Sequence, residues 1–295
     1  MTGDDFVRDY DELTDVRARE PQRIAKLFAG RTRRSLTPDD GRLMIIACDH
    51  PARGALSVRG RPHAMTDRRD MLARLTTALA RPGVDGVLAT PDVVEDLLLL
   101  GALENKLVFG SLNRGGLAGS VFEMDDRMTS YEVQGAVDAG LDGAKMLLRI
   151  DLDDPATVAT MESCGNAISA LARANRVAML EPFMSRRVDR GVVNDLRAEE
   201  VALSVHIAQG LGTSSAYTWL KLPVVDDMES VMRATTLPTL LLGGDPNGDP
   251  DATYAQWANA LTLPAVRGLV VGRTLLYPHD GDVTKAVDTA VSLVR

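Results

Sequence analysis

The sequence predicts an α/β protein, a (β/α)8 TIM barrel preceded by an N-terminal helical extension. Three observations carry that expectation. Eight short apolar runs recur along 295 residues, each followed by a helical stretch, and strands that alternate with helices imply βαβ units and a parallel sheet. The units fit within residues 41–295, and a closed barrel of this kind takes roughly 250 residues. No Gly-rich dinucleotide fingerprint follows an early strand, which counts against a doubly wound open sheet, the main rival.

The strand runs are "LMIIAC" (43–48), "DGVLAT" (85–90), "KLVFGS" (106–111), "GAKMLLRI" (143–150), "RVAMLEP" (176–182), "YTWLKLP" (217–223), "PTLLLGG" (238–244) and "RGLVVGR" (267–273). Helix signals lie between them. "TPDVVEDLLLL" opens with Thr90 as a cap and Pro91 in the first turn, where a missing N–H costs nothing. "DPATVATMESCGNAISALARA" opens the same way with Asp154 and Pro155, and Val158, Met161, Ile168 and Leu171 are expected to share its apolar face. "GVDG" (83–86) and "GLDG" (140–143) each end a helix and open a strand, and glycine there suits a left-handed terminus. Residues 1–40 are expected to form one or two helices outside the barrel, which occupies 41–295 as one domain.

Composition narrows the function classes. At 45% hydrophobic and 25% charged, the chain is an ordinary globular protein with a large core. A net charge of −8 and few aromatics argue against nucleic acid as a partner. No apolar run approaches the ~20 residues that span a bilayer, so no membrane association is expected. The acidic start "MTGDDFVRDYDELTDVRARE" is unlike a signal peptide. Cys48 and Cys164 are too few for a disulfide framework, which fits a cytoplasmic setting.

The chemistry is expected where the barrel strands end. The chain has five lysines against 28 arginines, and only a lysine offers a neutral amine nucleophile. Lys221 ends the sixth apolar run; Lys145 lies within the fourth, Asp49 follows the first and Glu181 closes the fifth. Period-two spacing puts Trp219 with Lys221, Lys145 with Arg149, and Val177 and Met179 with Glu181. Two amines and two carboxylates meeting at one mouth would largely neutralise each other. The bland alternatives are a turn residue for Asp49, a solvated strand end for Glu181 and a simple ion pair for Lys145. Lys106 reads as a strand opener in water. Gly243 and Gly244 end the seventh run, Gly272 and Arg273 the eighth, where such barrels build a phosphate cradle. Arg53, Arg59 and Arg61, with Arg186, Arg187 and Arg190, suggest a positive mouth. The four histidines are scattered, with no metal-site spacing, and no Gly-x-Ser-x-Gly elbow appears.

"IIACDHPARG", "GAKMLLRI", "AMLEPFMSRR", "TWLKLPV", "LLLGGD" and "GLVVGRTLLYP" resemble, in order and spacing, the class I (Schiff-base) aldolases of the DeoC/LacD/DhnA type, over about Arg42 to Pro278. The resemblance implies a (β/α)8 barrel in which Lys221 is the Schiff-base lysine, Glu181 the proton-shuttling glutamate, Lys145 the strand-4 lysine and Asp49 the strand-1 aspartate. It places Gly243, Gly244, Gly272 and Arg273 on a phosphate or sulfonate. It also implies a lyase without cofactor or metal, whose partners are a small phosphorylated sugar and further copies of the same chain. The loops "SLNRGG" and "SRRVDRG" match no one subfamily. The substrate therefore stays open among ketose bisphosphates, sulfofructose phosphate, deoxyribose phosphate and 5-keto-2-deoxygluconate phosphate. The alternatives are a non-catalytic sugar-phosphate sensor, or an isomerase or decarboxylase barrel without a covalent intermediate.

Overall fold

Alternation along each strand sorts side chains into an inner and an outer layer, and the computed structural model follows that sorting. It describes residues 6–189, 191–244 and 248–295. The strands are β1 (Leu43–Cys48), β2 (Gly86–Ala89), β3 (Leu107–Ser111), β4 (Gly143–Ile150), β5 (Val177–Arg187), β6 (Val192–Asn194), β7 (Thr218–Leu222), β8 (Thr239–Leu242) and β9 (Val266–Val271). Parallel pairing runs β4-β3-β2-β1-β9-β8-β7-β5, and β4 also pairs with β5, so the sheet closes into an eight-stranded barrel. The short β6 lies outside it, antiparallel to the end of β5. All eight expected strands are present.

The inner layer is Leu43, Ile45 and Ala47 of β1, Leu88, Leu107, Phe109, Val177, Met179, Trp219, Leu240 and Val270. Their neighbours one residue away, such as Met44, Ile46, Leu220 and Leu222, pack outward against the helices. Ala144, Met146, Leu148, Ala178 and Leu180 do the same in a second outer cluster. One-residue slips would exchange the layers, so the buried faces lock the register.

Helices α1 (Tyr10–Arg19) and α2 (Gln22–Gly30) precede β1; α3 (Arg68–Leu79), α4 (Pro91–Leu99), α5 (Val133–Asp138), α6 (Ala156–Arg173), α7 (Ala198–Gln209), α8 (Met228–Arg233), α9 (Pro250–Ala260), α10 (Arg273–Leu276) and α11 (Val283–Val294) surround the barrel. Pro91 occupies the first turn of α4 after Thr90. Gly83 and Gly140 have φ of 84° and 65°, the left-handed terminus their joints require.

The segment after α2 closes the amino end of the barrel. Leu36 packs against the inner cluster. The buried Arg31 donates to Lys106 O at 2.5 Å and Gly140 O at 3.3 Å, and pairs with Asp142 at 3.5 Å. Arg34 pairs with Asp85 at 2.7 Å. Asp85 and Asp142, from the two repeated joints, also accept the backbone N–H of Met44 and Val108.

Three local expectations need correcting. The fifth run does not stop at Pro182: β5 continues to Arg187. Ala178 N donates toward β7, and Pro182 falls on the same side by alternation. Pairing with β7 ends at Leu180, so the missing N–H breaks no ladder bond. In α6, Val158 is 69% exposed while Ile168 and Leu171 are buried. Thr157 takes the inward position because its hydroxyl bonds both the N–H and the carbonyl of Asp151, which turns Val158 outward. Lys106 is half-buried, its amine donating to Val84 O at 2.7 Å, because it lies under the amino end of the barrel.

Candidate active site

At the carboxyl ends of the strands the inner positions turn polar. The β1 series ends in Asp49, the β5 series in Glu181 and Phe183, and the β7 series in Lys221. On β4, Lys145, Leu147 and Arg149 share the inner face, and all these side chains line one cavity of about 260 Å³. The structure therefore brings together Asp49, Lys145, Glu181 and Lys221, each buried.

Glu181 is the hub of the cluster. Its Oε1 accepts from Lys221 Nζ at 2.8 Å, and its Oε2 pairs with Lys145 Nζ at 2.5 Å. Lys145 Nζ also donates to Asp49 Oδ2 at 3.2 Å. Ser111 Oγ donates to the same oxygen at 3.3 Å, and Arg114 Nη1 stands 3.5 Å from it. Burial alone would push both carboxyls up, but the cations outweigh it. Lys145 and Lys221 bring Glu181 down to about 2, and with Arg114 they hold Asp49 well below the usual carboxylate range. Burial pushes the Lys145 amine down, against the pull of Asp49 and Glu181. Burial also pushes His50 to about 3, which leaves a neutral imidazole at neutral pH. The arrangement can pass a proton between two amines through one carboxylate.

Gly243, Gly244, Gly272 and Arg273 line the same cavity. Gly244 has φ of 68°, open to glycine without strain. A Cβ on Gly272 would stand 2.3 Å from Ala47 O, so only glycine lets the chain pass there. Arg273 opens α10, with Nη1 donating to Ser57 O at 3.2 Å. Among the described residues, no three or more His, Cys, Asp or Glu converge as candidate metal ligands.

The positive mouth differs from its expected composition. Arg59, Arg61, Arg186 and Arg187 do not line the cavity, and Arg190 lies outside the described residues. Arg187 is drawn to Asp154 and Val121 O instead. Among the described residues, the arginines that do reach the cavity are Arg53, Arg114, Arg149 and Arg273. Arg53 is committed to Asp126 at 2.6 Å and to two loop carbonyls, and Arg149 to Glu123 at 2.9 Å. Sequence reasoning missed Arg114. It stands in "SLNRGG", where no periodicity marks a residue as buried; the one available signal was its place just past a barrel strand.

Fold and site together define a (β/α)8 barrel of the architecture that class I aldolases share. The chain belongs to the Cgl0159-like family, whose model matches residues 41–291. The structure of Cgl0159 from Corynebacterium glutamicum is similar over all of this chain and 98% of that one, with 55% identity and a TM-score of 0.94. An archaeal fructose 1,6-bisphosphate aldolase is similar at 18% identity, over 92% of this chain and 98% of that one, with a TM-score of 0.67. So is an archaeal fructose-1,6-bisphosphate aldolase whose catalytic Lys is covalently bound to the carbinolamine intermediate, at 18% identity, over 92% and 99% of the two chains, with a TM-score of 0.66. At that identity the two aldolases share the fold with this chain. No curated protein matches it.

Proposed function

We propose that this protein is a class I aldolase that reversibly cleaves a phosphorylated ketose through a Schiff base on Lys221. The observation that carries the reading is the pair of buried amines on one buried carboxylate, 2.8 and 2.5 Å from Glu181, at the floor of a barrel-mouth cavity. Structural ion pairs need no second lysine there. A proton relay does.

The steps balance with these groups alone. Glu181 takes a proton from the Lys221 ammonium, and the free amine adds to the substrate ketone carbon. The proton moves from nitrogen to the carbonyl oxygen, giving a carbinolamine. Glu181 returns its proton to that hydroxyl, which leaves as water, and an iminium remains. The bond one carbon further on then breaks, its electrons flowing into the iminium to give an enamine. The proton of the neighbouring hydroxyl passes to the Asp49–Lys145–Glu181 cluster as the aldehyde departs. The cluster gives that proton to the enamine carbon, and water releases the ketone from Lys221.

The phosphate would rest on the backbone of Gly243, Gly244 and Gly272 with Arg273. We place the enzyme in a reducing cytoplasm, consistent with the free, buried Cys48 and Cys164. We expect a homo-oligomer, which would cover exposed apolar side chains such as Val121, Leu152 and Val158. No helix among the described residues is long and apolar enough to cross a membrane.

The test is turnover of a panel of ketose phosphates by the wild type and by Lys221→Arg, which keeps the charge beside Glu181 but removes the nucleophile. We expect the variant to fold and to lose at least ~10⁴-fold in kcat, more than general acid–base catalysis alone supplies. Near-normal turnover by the variant would instead point to an isomerase or decarboxylase without an adduct. Binding without turnover by the wild type would point to a sensor.

A further inference from the structure

We propose that Arg114 is the receptor for a carboxylate on the aldehyde half of the substrate, so that the ketose cleaved is a sugar acid as well as a phosphate ester. The proposal rests on the aldolase reading for the word aldehyde, and on Arg114 itself for the anion. Arg114 follows β3 and lines the cavity, with its side chain only 5% exposed. Its Nε, Nη1 and Nη2 make no hydrogen bond among the described residues. Among the described residues, the nearest carboxylate oxygen is Asp49 Oδ2, 3.5 Å from Nη1. A buried guanidinium with no hydrogen bond carries the full desolvation cost of its donors, and a ligand that accepts from it removes that cost. Burial pushes Arg114 down to about 10, which still leaves it charged at neutral pH.

Its surroundings single it out. Arg53 and Arg149 reach the same cavity, but their charges are matched by Asp126 and Glu123. The Asn113 side chain is spent on the backbone of Leu147. The loop amides are spent as well: Gly115 N donates to Arg127 O at 3.2 Å and Gly116 N to Asp126 Oδ1 at 3.0 Å. Among the described residues, with His50 neutral, Asp49 and Glu181 face Lys145, Lys221 and Arg114, one cation too many. Iminium formation keeps the positive charge on the Lys221 nitrogen, so the excess persists through the reaction.

Topology places the two anion sites on opposite halves of the substrate. Around the closed barrel β3 stands four places from β8, diametrically across. The glycine cradle follows β8 and β9, and β8 is next to β7 and its Lys221. A phosphate held there belongs to the ketone half bound to Lys221, and a group on Arg114 belongs to the half that leaves. One guanidinium fork matches the two oxygens of a carboxylate. A dianionic phosphate would stand against Asp49 with no backbone amides to help. That favours the singly charged acid.

Condensation of dihydroxyacetone phosphate with three short aldehydes tests this, using 3-oxopropanoate (acid), propanal (neutral) and phosphoglycolaldehyde (phosphate). We expect wild type to favour the acid over propanal in kcat/KM by ~10- to 100-fold, the scale of a charge-assisted hydrogen bond. Arg114→Gln should collapse that ratio, and Arg114→Lys should restore part of it. The ratio is taken within each protein, so a partly folded variant changes both terms together. An unchanged ratio in Arg114→Gln overturns the proposal, and a wild-type preference for the phosphate aldehyde overturns the carboxylate assignment. Calorimetric titration with 3-hydroxypropanoate needs no turnover. Tighter binding to wild type than to Arg114→Gln upholds the receptor even if no condensation occurs, which would then count against the aldolase reading alone. Equal binding to both proteins counts against the receptor.

Discussion

At Glu181 a single buried carboxylate is shared by two amines, Lys221 at 2.8 Å and Lys145 at 2.5 Å. Lys221 stood out because lysine is scarce here and because a strand position fixes its face by alternation. Asp49, Lys145 and Glu181 were legible for the same reason, since the period of two and the polarity of barrel mouths place them together. Arg114 was not, because a loop has no period, and burial there depends on how Arg53 and Asp126 fold the chain around it. The same ion cluster sets an expectation for acid stability. Glu181 lies at about 2 in the folded protein, below an unfolded carboxylate near ~4. Its contribution is therefore complete above the unfolded value and is lost as pH falls toward the folded one. Melting temperature should hold steady from pH 7 to about 5 and drop between about 4 and 2. Glu181→Gln should be less stable at neutral pH, where it leaves two buried amines poorly matched, and should show a shallower acid decline. An equally steep decline in the variant would mean that other carboxylates dominate.

Elements were legible where their signals are local and opaque where packing decides. The eight barrel strands follow from apolar runs and the repeated glycine joints. The extension of β5 past Pro182 does not, because a proline reads as a stop until one knows that the β7 ladder has already ended. The outward turn of Val158 depends on Thr157 finding both backbone partners at Asp151. The segment between α2 and β1 is the element whose role the sequence concealed. Its arginines look like surface charge, yet Arg31 is buried against Lys106 O, Gly140 O and Asp142. We expect Arg31→Ala to cost about 2–3 kcal/mol, since it strips a charged donor from buried carbonyls and one of two guanidinium partners from Asp142. Chemical denaturation measures this. A loss below about 0.5 kcal/mol, the size of an ordinary surface substitution, would mean that the seal is not stabilising.

At the scale of the whole molecule, closure of the sheet is what makes the chemistry possible. A parallel barrel buries its strands on both sides, so charges can enter the inner face only at the end where they meet one another. That is why four ionisable residues separated by up to 172 positions converge on one cavity while the opposite end is sealed by apolar Leu36 and the Arg31 and Arg34 ion pairs. The closed ring also sets the cradle and Arg114 on opposite walls, which an open sheet would not do. Two amines touch Glu181, and only Lys221 is expected to take the covalent step. Borohydride reduction in the presence of dihydroxyacetone phosphate, followed by peptide mass mapping, decides between them. We expect an adduct on the peptide carrying Lys221 and none on that carrying Lys145. An adduct on Lys145, or turnover with no adduct on either, would contradict this.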